Sequence, residues 1–233
     1  EPLLRWLKHN AQRENYLLHV NYWDAHRCYK MDPSWADRFA GIPVRQPWPD
    51  QATLQAHQRI EGPFTARGQF RDGASPYPLM PGAVASRADF EHMLTGYDAA
   101  IAYVDHHLGL VLEELDRQGV LDDAAILISA DHGDAFGEHG IYSDHVCADE
   151  CIHHIPLIVR WPDRLPAGEV RDTLISVVDY APTASYTYLQ PCDPPGFVYF
   201  NDSSYIQTGA TPITQWLWEL EPGQFSSEIN PTY

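Results

Sequence analysis

Residues 125–140 read Ala-Ile-Leu-Ile-Ser-Ala-Asp-His-Gly-Asp-Ala-Phe-Gly-Glu-His-Gly. An apolar run stops at Asp131. Carboxylates, imidazoles and glycines then crowd together at Asp131, His132, Gly133, Asp134, Gly137, Glu138, His139 and Gly140, with Asp144 and His145 close behind. An Asp next to a His on a tight turn offers a carboxylate oxygen and an imidazole nitrogen to one cation, and Gly133 permits a sharp exit. The competing reading has Asp131 capping the turn and His132 on the surface. The continued arrival of polar groups after Gly133 favours the ligand reading. A second polar element, Asp24-Ala25-His26, follows the apolar run at 16–23. Cys147 and Cys151 lie four apart among His145, His153 and His154. That spacing matches no familiar structural zinc site, so both are read as ordinary thiols.

Elements of regular structure must deliver these groups. "YLLHVNYW" (16–23) reads as a buried strand ending at Asp24, and "AILISA" (125–130) as a strand ending at Asp131. In an open α/β sheet, ligands bind beyond the carboxyl ends of strands, which is where both polar elements fall. Residues 3–13 read as a short helix, and 30–85, rich in Pro, Gly, Gln and Arg, as a long excursion with short helices. Ser86 is a good N-cap with Asp89 three residues on. Tyr97, Ile101, Val104, Leu108, Val111, Leu112 and Leu115 then recur at helical spacing, and Gly119 closes the helix. Further strand-like runs follow at 155–161 and 173–183. From Ser185 the character changes. "GFVYF" and "SYIQTG" read as weak strands and "ITQWLWELE" as a short helix. Helix and strand alternate as in an α/β sheet with a parallel component.

Bulk properties bound the function. The 233 residues carry a formal net charge of −17. So acidic a surface repels phosphate backbones and anionic lipid headgroups, which argues against nucleic acid and membrane partners. An anionic substrate remains compatible, because a local cation overrides the global field. No apolar stretch reaches membrane-spanning length. No signal peptide is read at Glu1-Pro2-Leu3, and the compartment stays open.

The ordered set of elements resembles the sulfatase family of the alkaline phosphatase superfamily, in the C-terminal part of its catalytic domain. "DDAAILISADHGDAFGEHGIYSDH" followed by "HHIPLIVRWPD" is similar to that family's strand, Asp-His-Gly, Gly-Glu-His-Gly and Pro-Leu-Ile-Val-Arg-Trp-Pro elements. The upstream helix, "NYWDAHRCY" and "VVDYAPT" complete the likeness, which covers about residues 15–184. The resemblance implies an α/β fold with an alkaline-phosphatase-like, mixed and largely parallel sheet flanked by helices. It makes Asp131 and His132 metal ligands, His26 a hydrogen-bond partner of the sulfate ester near the leaving group, and His145 a cationic contact of the sulfate. Glu138 and His139 are read as shaping the loop. The implied cofactor is a divalent ion: calcium by family, with manganese, magnesium and zinc as alternatives. The implied partner is a small-molecule or glycan sulfate ester.

The family's other elements, a strand ending in two aspartates and a Cys/Ser-x-Pro-Ser/Ala-Arg nucleophile motif, are absent from these 233 residues. "CDPPG" (192–196) lacks the Arg and follows Asp131 instead of preceding it. The expectation is therefore a partial catalytic domain over 1–184, incomplete on its N-terminal side, with a divergent tail over 185–233. The function expected is that of a sulfuric ester hydrolase fragment, inactive alone. Its missing partner would be an N-terminal segment or a second chain. Phosphodiester or phosphonate ester hydrolysis on the same scaffold is one alternative, and a non-catalytic interaction module is another.

Overall fold

A computed structural model describes residues 2–13, 16–44, 47–70, 74–172 and 175, and the backbone of four short strands within 186–226. Two units are distinguished by their contacts. One comprises Glu1–Asn21, Glu113–Asp122 and Pro166–Tyr233; the other comprises Tyr22–Leu112 and Asp123–Leu165.

The helices fall where capping chemistry places them. α1 (Pro2–Asn10) starts on a proline and ends with Lys8 and His9 in its last turn, where positive charge meets the exposed carbonyls. The excursion at 30–85 holds a 3₁₀ turn (Pro33–Phe39) and α2 (Gln51–His57). Asp50 caps α2 by accepting the Thr53 N–H at 2.8 Å. α3 (Arg87–Arg117) spans 31 residues. Its start is a reciprocal capping box with Asp in the acidic position: Ser86 Oγ accepts the Asp89 N–H at 3.2 Å, and Asp89 Oδ2 accepts the Ser86 N–H at 2.8 Å. Its end is a Schellman motif. Gly119, at φ +71°, donates to the Asp116 carbonyl at 2.8 Å, and Val120 donates to Leu115 at 3.1 Å.

The core of the second unit is built from Tyr29, Met31, Leu54, Leu79, Met80, Val84, Phe90, Met93 and Tyr142, all buried. These residues come from the His26 loop, the excursion, α3 and the segment after Asp131. Residues 30–85 are therefore a structural wall of this unit, consistent with a folded excursion.

β1 (Ile126–Ser129) and β4 (Leu157–Arg160) appear where the apolar runs predict them. Between them lie β2 (Ala135–Phe136), β3 (Tyr142–Asp144) and the short helix α4 (Glu150–His153). β1 pairs with β4 and β2 with β3, both antiparallel. The parallel component expected from the alternation of elements is not seen among the described residues, where each strand has one antiparallel neighbour.

Two further expectations differ from the structure. Residues 16–23 form no strand. They alternate half-buried and exposed, the period of an extended chain, but no strand among the described residues pairs with them. Extended backbone without a ladder is not a β-strand. In the tail, the stretch read as a short helix contains β7 (Trp218–Glu221), paired with β8 (Gln224–Ser226). β5 (Tyr186–Leu189) pairs with β6 (Tyr199–Asp202), which overlaps the predicted "GFVYF". The runs at 173–183 and "SYIQTG" lie outside the described residues apart from Ile175, which is exposed. Among the described residues no helix is long and apolar enough to cross a membrane.

At the end of α3, the Glu114 carboxylate accepts from Arg117 Nε and Gln118 Nε2, each at 2.9 Å. These bonds hold its pKa down at about 2, below the ordinary glutamate value of about 4.3. A folded-state pKa below the unfolded one stabilises above the unfolded value, and that contribution is lost as pH falls toward the folded value. Glu114→Gln should therefore lower the melting temperature at pH 6. The gap to the parent chain should narrow as pH is lowered from about 4.3 toward 2, as followed by circular dichroism melts.

Candidate functional site

The hairpin β2–β3 decides which side chains meet. Its register pairs Ala135 with Asp144. The residue before Ala135 is Asp134 and the residue after Asp144 is His145, so antiparallel pairing brings these two together across the hairpin end. His132 precedes Asp134 by two, the spacing that puts side chains on one side of an extended segment. His132, Asp134 and His145 accordingly each offer a ligand atom, all within 4.8 Å of one another. The rings of His132 and His145 stack at 3.8 Å between centroids, 29° apart.

Buried hydrogen bonds hold this hairpin in place. Ser143 is fully buried, and its Oγ shares a 2.7 Å hydrogen bond with the hydroxyl of fully buried Tyr29. Next to it, the Tyr142 hydroxyl bonds His57 Nδ1 at 2.7 Å, and the Tyr142 N–H donates to Phe64 at 2.7 Å. Burial pushes both tyrosine hydroxyls well above their ordinary range, so they stay neutral. Tyr29 ends the loop that starts at His26, which ties that loop to β3. Arg27 pins the same loop by donating from Nη2 to the Gln69 carbonyl at 2.8 Å and lying over the Phe64 ring at 4.7 Å.

Each predicted residue has a definite place. His132 Nδ1 lies 2.9 Å from the Gly133 carbonyl oxygen. A carbonyl only accepts, so Nδ1 carries the proton and Nε2 of the neutral ring presents its lone pair. Asp131 is exposed over 84 % of its side chain; its Oδ1 accepts the His132 N–H at 3.0 Å, and it stands outside the group of three. His145 is half-exposed and joins the group. His26 has its ring against Trp23 at 4.9 Å and does not join the group. It nevertheless acts electrostatically on Asp134, as do His132 and His145.

Asp134 is the residue that sequence reading left unassigned. Its side chain makes no hydrogen bond among the described residues, and burial raises its pKa above the ordinary aspartate range. Asp144 adds to that rise, and the three histidines oppose it. The signal in the sequence was its place two residues after His132. What made it a partner of His145 was the hairpin register, which the sequence pattern does not display. Two imidazole nitrogens and one desolvated carboxylate oxygen make a donor set that fits a divalent cation.

The remaining loop residues are structural. Glu138 accepts the Phe136 N–H at 2.6 Å, and His139 Nε2 bonds Asp149 at 2.8 Å, as expected of groups that shape the loop. His153 and His154 are both exposed. Cys147 and Cys151 belong to no metal-binding group among the described residues. Burial and the nearby Glu138 and Asp149 carboxylates push the Cys151 thiol up to about 12, which keeps it protonated at neutral pH.

Comparison with known proteins gives the family. The Sulfatase family model matches residues 1–186. N-acetylglucosamine-6-O-sulfatase of Bacteroides thetaiotaomicron is 33 % identical over 94 residues, covering 40 % of this chain and 17 % of that protein. Human N-sulphoglucosamine sulphohydrolase is 26 % identical over 204 residues, 83 % of this chain and 35 % of that protein. A multifunctional alkaline phosphatase superfamily protein of Trinickia caryophylli is 25 % identical over 190 residues, 78 % and 36 % respectively. The chain thus aligns with about a third or less of the length of these relatives.

Gly133 gives the site its main steric test. Its φ is not positive, so the residue is not required for a left-handed turn. Clearance requires it instead. Its N–H donates to Ile152 at 2.8 Å, and a Cβ there would stand 2.0 Å from the Cys151 carbonyl oxygen. Gly133→Ala must push the turn off α4, and is expected to cost about 1–3 kcal/mol in urea denaturation.

Proposed function

The chain belongs to the sulfatase family, and from that premise we propose that it carries the metal-facing half of a sulfuric ester hydrolase site. The convergence of His132, Asp134 and His145 beyond β1, with His26 in electrostatic reach, is the observation that carries this reading. Asp131 and His132 are its metal ligands by resemblance. The ion would stabilise the negative charge on the non-bridging oxygens of the ester.

The chain's own residues take the remaining roles. His26, protonated, donates to the bridging oxygen as the alcohol leaves. His145 contacts a sulfate oxygen through a ring N–H. Asp134 stands with His132 and His145 as the third convergent donor. The sulfate ester sits on a small molecule or a glycan; the names of the relatives point to glycans, with glucosamine sulfatases among them. Residues 1–184 belong to the catalytic domain, in which β1 and β4 are two strands of a mixed, alkaline-phosphatase-like sheet. Residues 185–233 are a divergent tail.

The nucleophile motif is not among these 233 residues, so the chain alone should hydrolyse no aryl sulfate above background. The decisive experiment is to read the coding frame upstream of Glu1 and express the longer product. A Cys/Ser-x-Pro-Ser/Ala-Arg encoded there, with sulfate ester turnover lost in Asp131→Ala and His132→Ala, is expected. A longer product without that motif refutes the reading. One that prefers a phosphodiester establishes the alternative activity of the same superfamily.

A further inference from the structure

We infer that Cys147 and Cys151 are a disulfide site: oxidised to each other, they close a covalent staple between the segment that leaves β3 and the first turn of α4. The inference concerns a covalent modification and stands apart from the ester chemistry proposed above.

A local turn brings the two thiols together. They are four residues apart, with Asp149 between them. Asp149 caps α4: its Oδ1 accepts the Cys151 N–H at 3.3 Å, and its carbonyl accepts from Ile152 at 3.0 Å and His153 at 3.2 Å. Its Oδ2 is bonded to His139 at 2.8 Å, which anchors the turn to the loop after β2. With the chain folded back at Asp149, the thiols of Cys147 and Cys151 share a hydrogen bond. Thiols in contact meet a first demand of a disulfide, that the two side chains point toward each other. Both cysteines are free and partly exposed, so a small oxidant reaches them.

The oxidant is a low-molecular-weight disulfide such as glutathione disulfide. One cysteine, as thiolate, attacks a glutathione sulfur and releases one glutathione. The second attacks the mixed disulfide and releases the other. One S–S bond breaks and one forms. The two protons and two electrons that leave the protein pair end on two glutathione thiols. Carboxylates near Cys151 disfavour its thiolate, so exchange is slow at neutral pH. A strongly oxidising disulfide owes its potential to a stabilised reduced form. The surroundings of Cys151 do the opposite, and the bond, once made, is durable.

The staple acts on two segments that carry groups of the site. Cys147 follows His145 by two residues. Ile152 accepts the Gly133 N–H at 2.8 Å, and the Cys151 carbonyl is what leaves no room for a Cβ at position 133. The disulfide therefore ties the backbone after His145 to the support of the backbone after His132.

The test uses the whole chain, incubated with excess glutathione disulfide at mildly alkaline pH. Free thiols are then blocked with iodoacetamide, and the chain is cut by a glutamyl endopeptidase without reduction. Glu150 lies between the two cysteines, so cleavage after it separates Cys147 from Cys151 unless a disulfide joins them. Mass spectrometry should find the two peptides linked, unalkylated, and released by dithiothreitol. In circular dichroism melts the oxidised chain should melt a few degrees above the reduced one. That difference should vanish in Cys147→Ser and in Cys151→Ser. Full alkylation of both cysteines after oxidation would overturn the inference. So would a stable mixed disulfide with glutathione, or linkage of either cysteine to Cys28 or Cys192. A linked pair that melts no higher than the reduced chain would overturn its role as a staple.

Discussion

The pairing of Ala135 with Asp144 is the constraint on which the site depends. A hairpin slipped by one residue turns every side chain to its other face. Asp134 and His145 would then no longer meet. With so short a hairpin, the register cannot rest on ladder hydrogen bonds. It rests on the two tyrosines. Tyr142 is locked by the partly buried His57 and Phe64, and the buried Ser143 by Tyr29 of the core. Removing the Tyr29 hydroxyl would strand a buried Ser143 hydroxyl, which costs more than an exposed hydrogen bond contributes.

The same network bears on how so acidic a chain would meet the anionic ester proposed for it. The global charge of −17 opposes binding. Yet around Asp134 the local arrangement is different: His26, His132 and His145 oppose the effect of desolvation on its carboxylate. At distances within a Debye length, a few ångströms outweigh the sum of remote surface charges. A cation held by these groups would add positive charge at the point of need.

Much of the frame was legible because its signals are local. Capping by Ser86 and Asp89, the stop at Gly119 and the apolar runs of β1 and β4 each follow from a few adjacent residues. The loop roles of Glu138 and His139 followed from the same stretch. What escaped was non-local. Tyr16–Trp23 has the composition and period of a strand, but a strand also needs a neighbour, and that is a property of the whole sheet. Trp218–Glu221 lies in the stretch read as a short helix but pairs with Gln224–Ser226. Asp134 stood in plain view, but its partner lies eleven residues on, and only the register of the hairpin joins them. Gly133 was read as a conformational device, whereas its actual constraint is the carbonyl of Cys151, from a helix that sequence reading did not predict.

The contrast between Asp131 and Asp134 follows from what each hangs on. Asp134 precedes a hairpin that is tied into the core on three sides. Asp131 follows β1, whose one hydrogen-bonded neighbour among the described residues is β4. That pair leaves Leu127 and Val159 exposed on one face and Ile158 on the other, and a two-stranded ribbon with uncovered apolar side chains is marginal in water. The hairpin is held by Tyr29, His57 and Phe64. Asp131 thus depends on the β1–β4 pair, while Asp134 and His145 are joined by the β2–β3 hairpin.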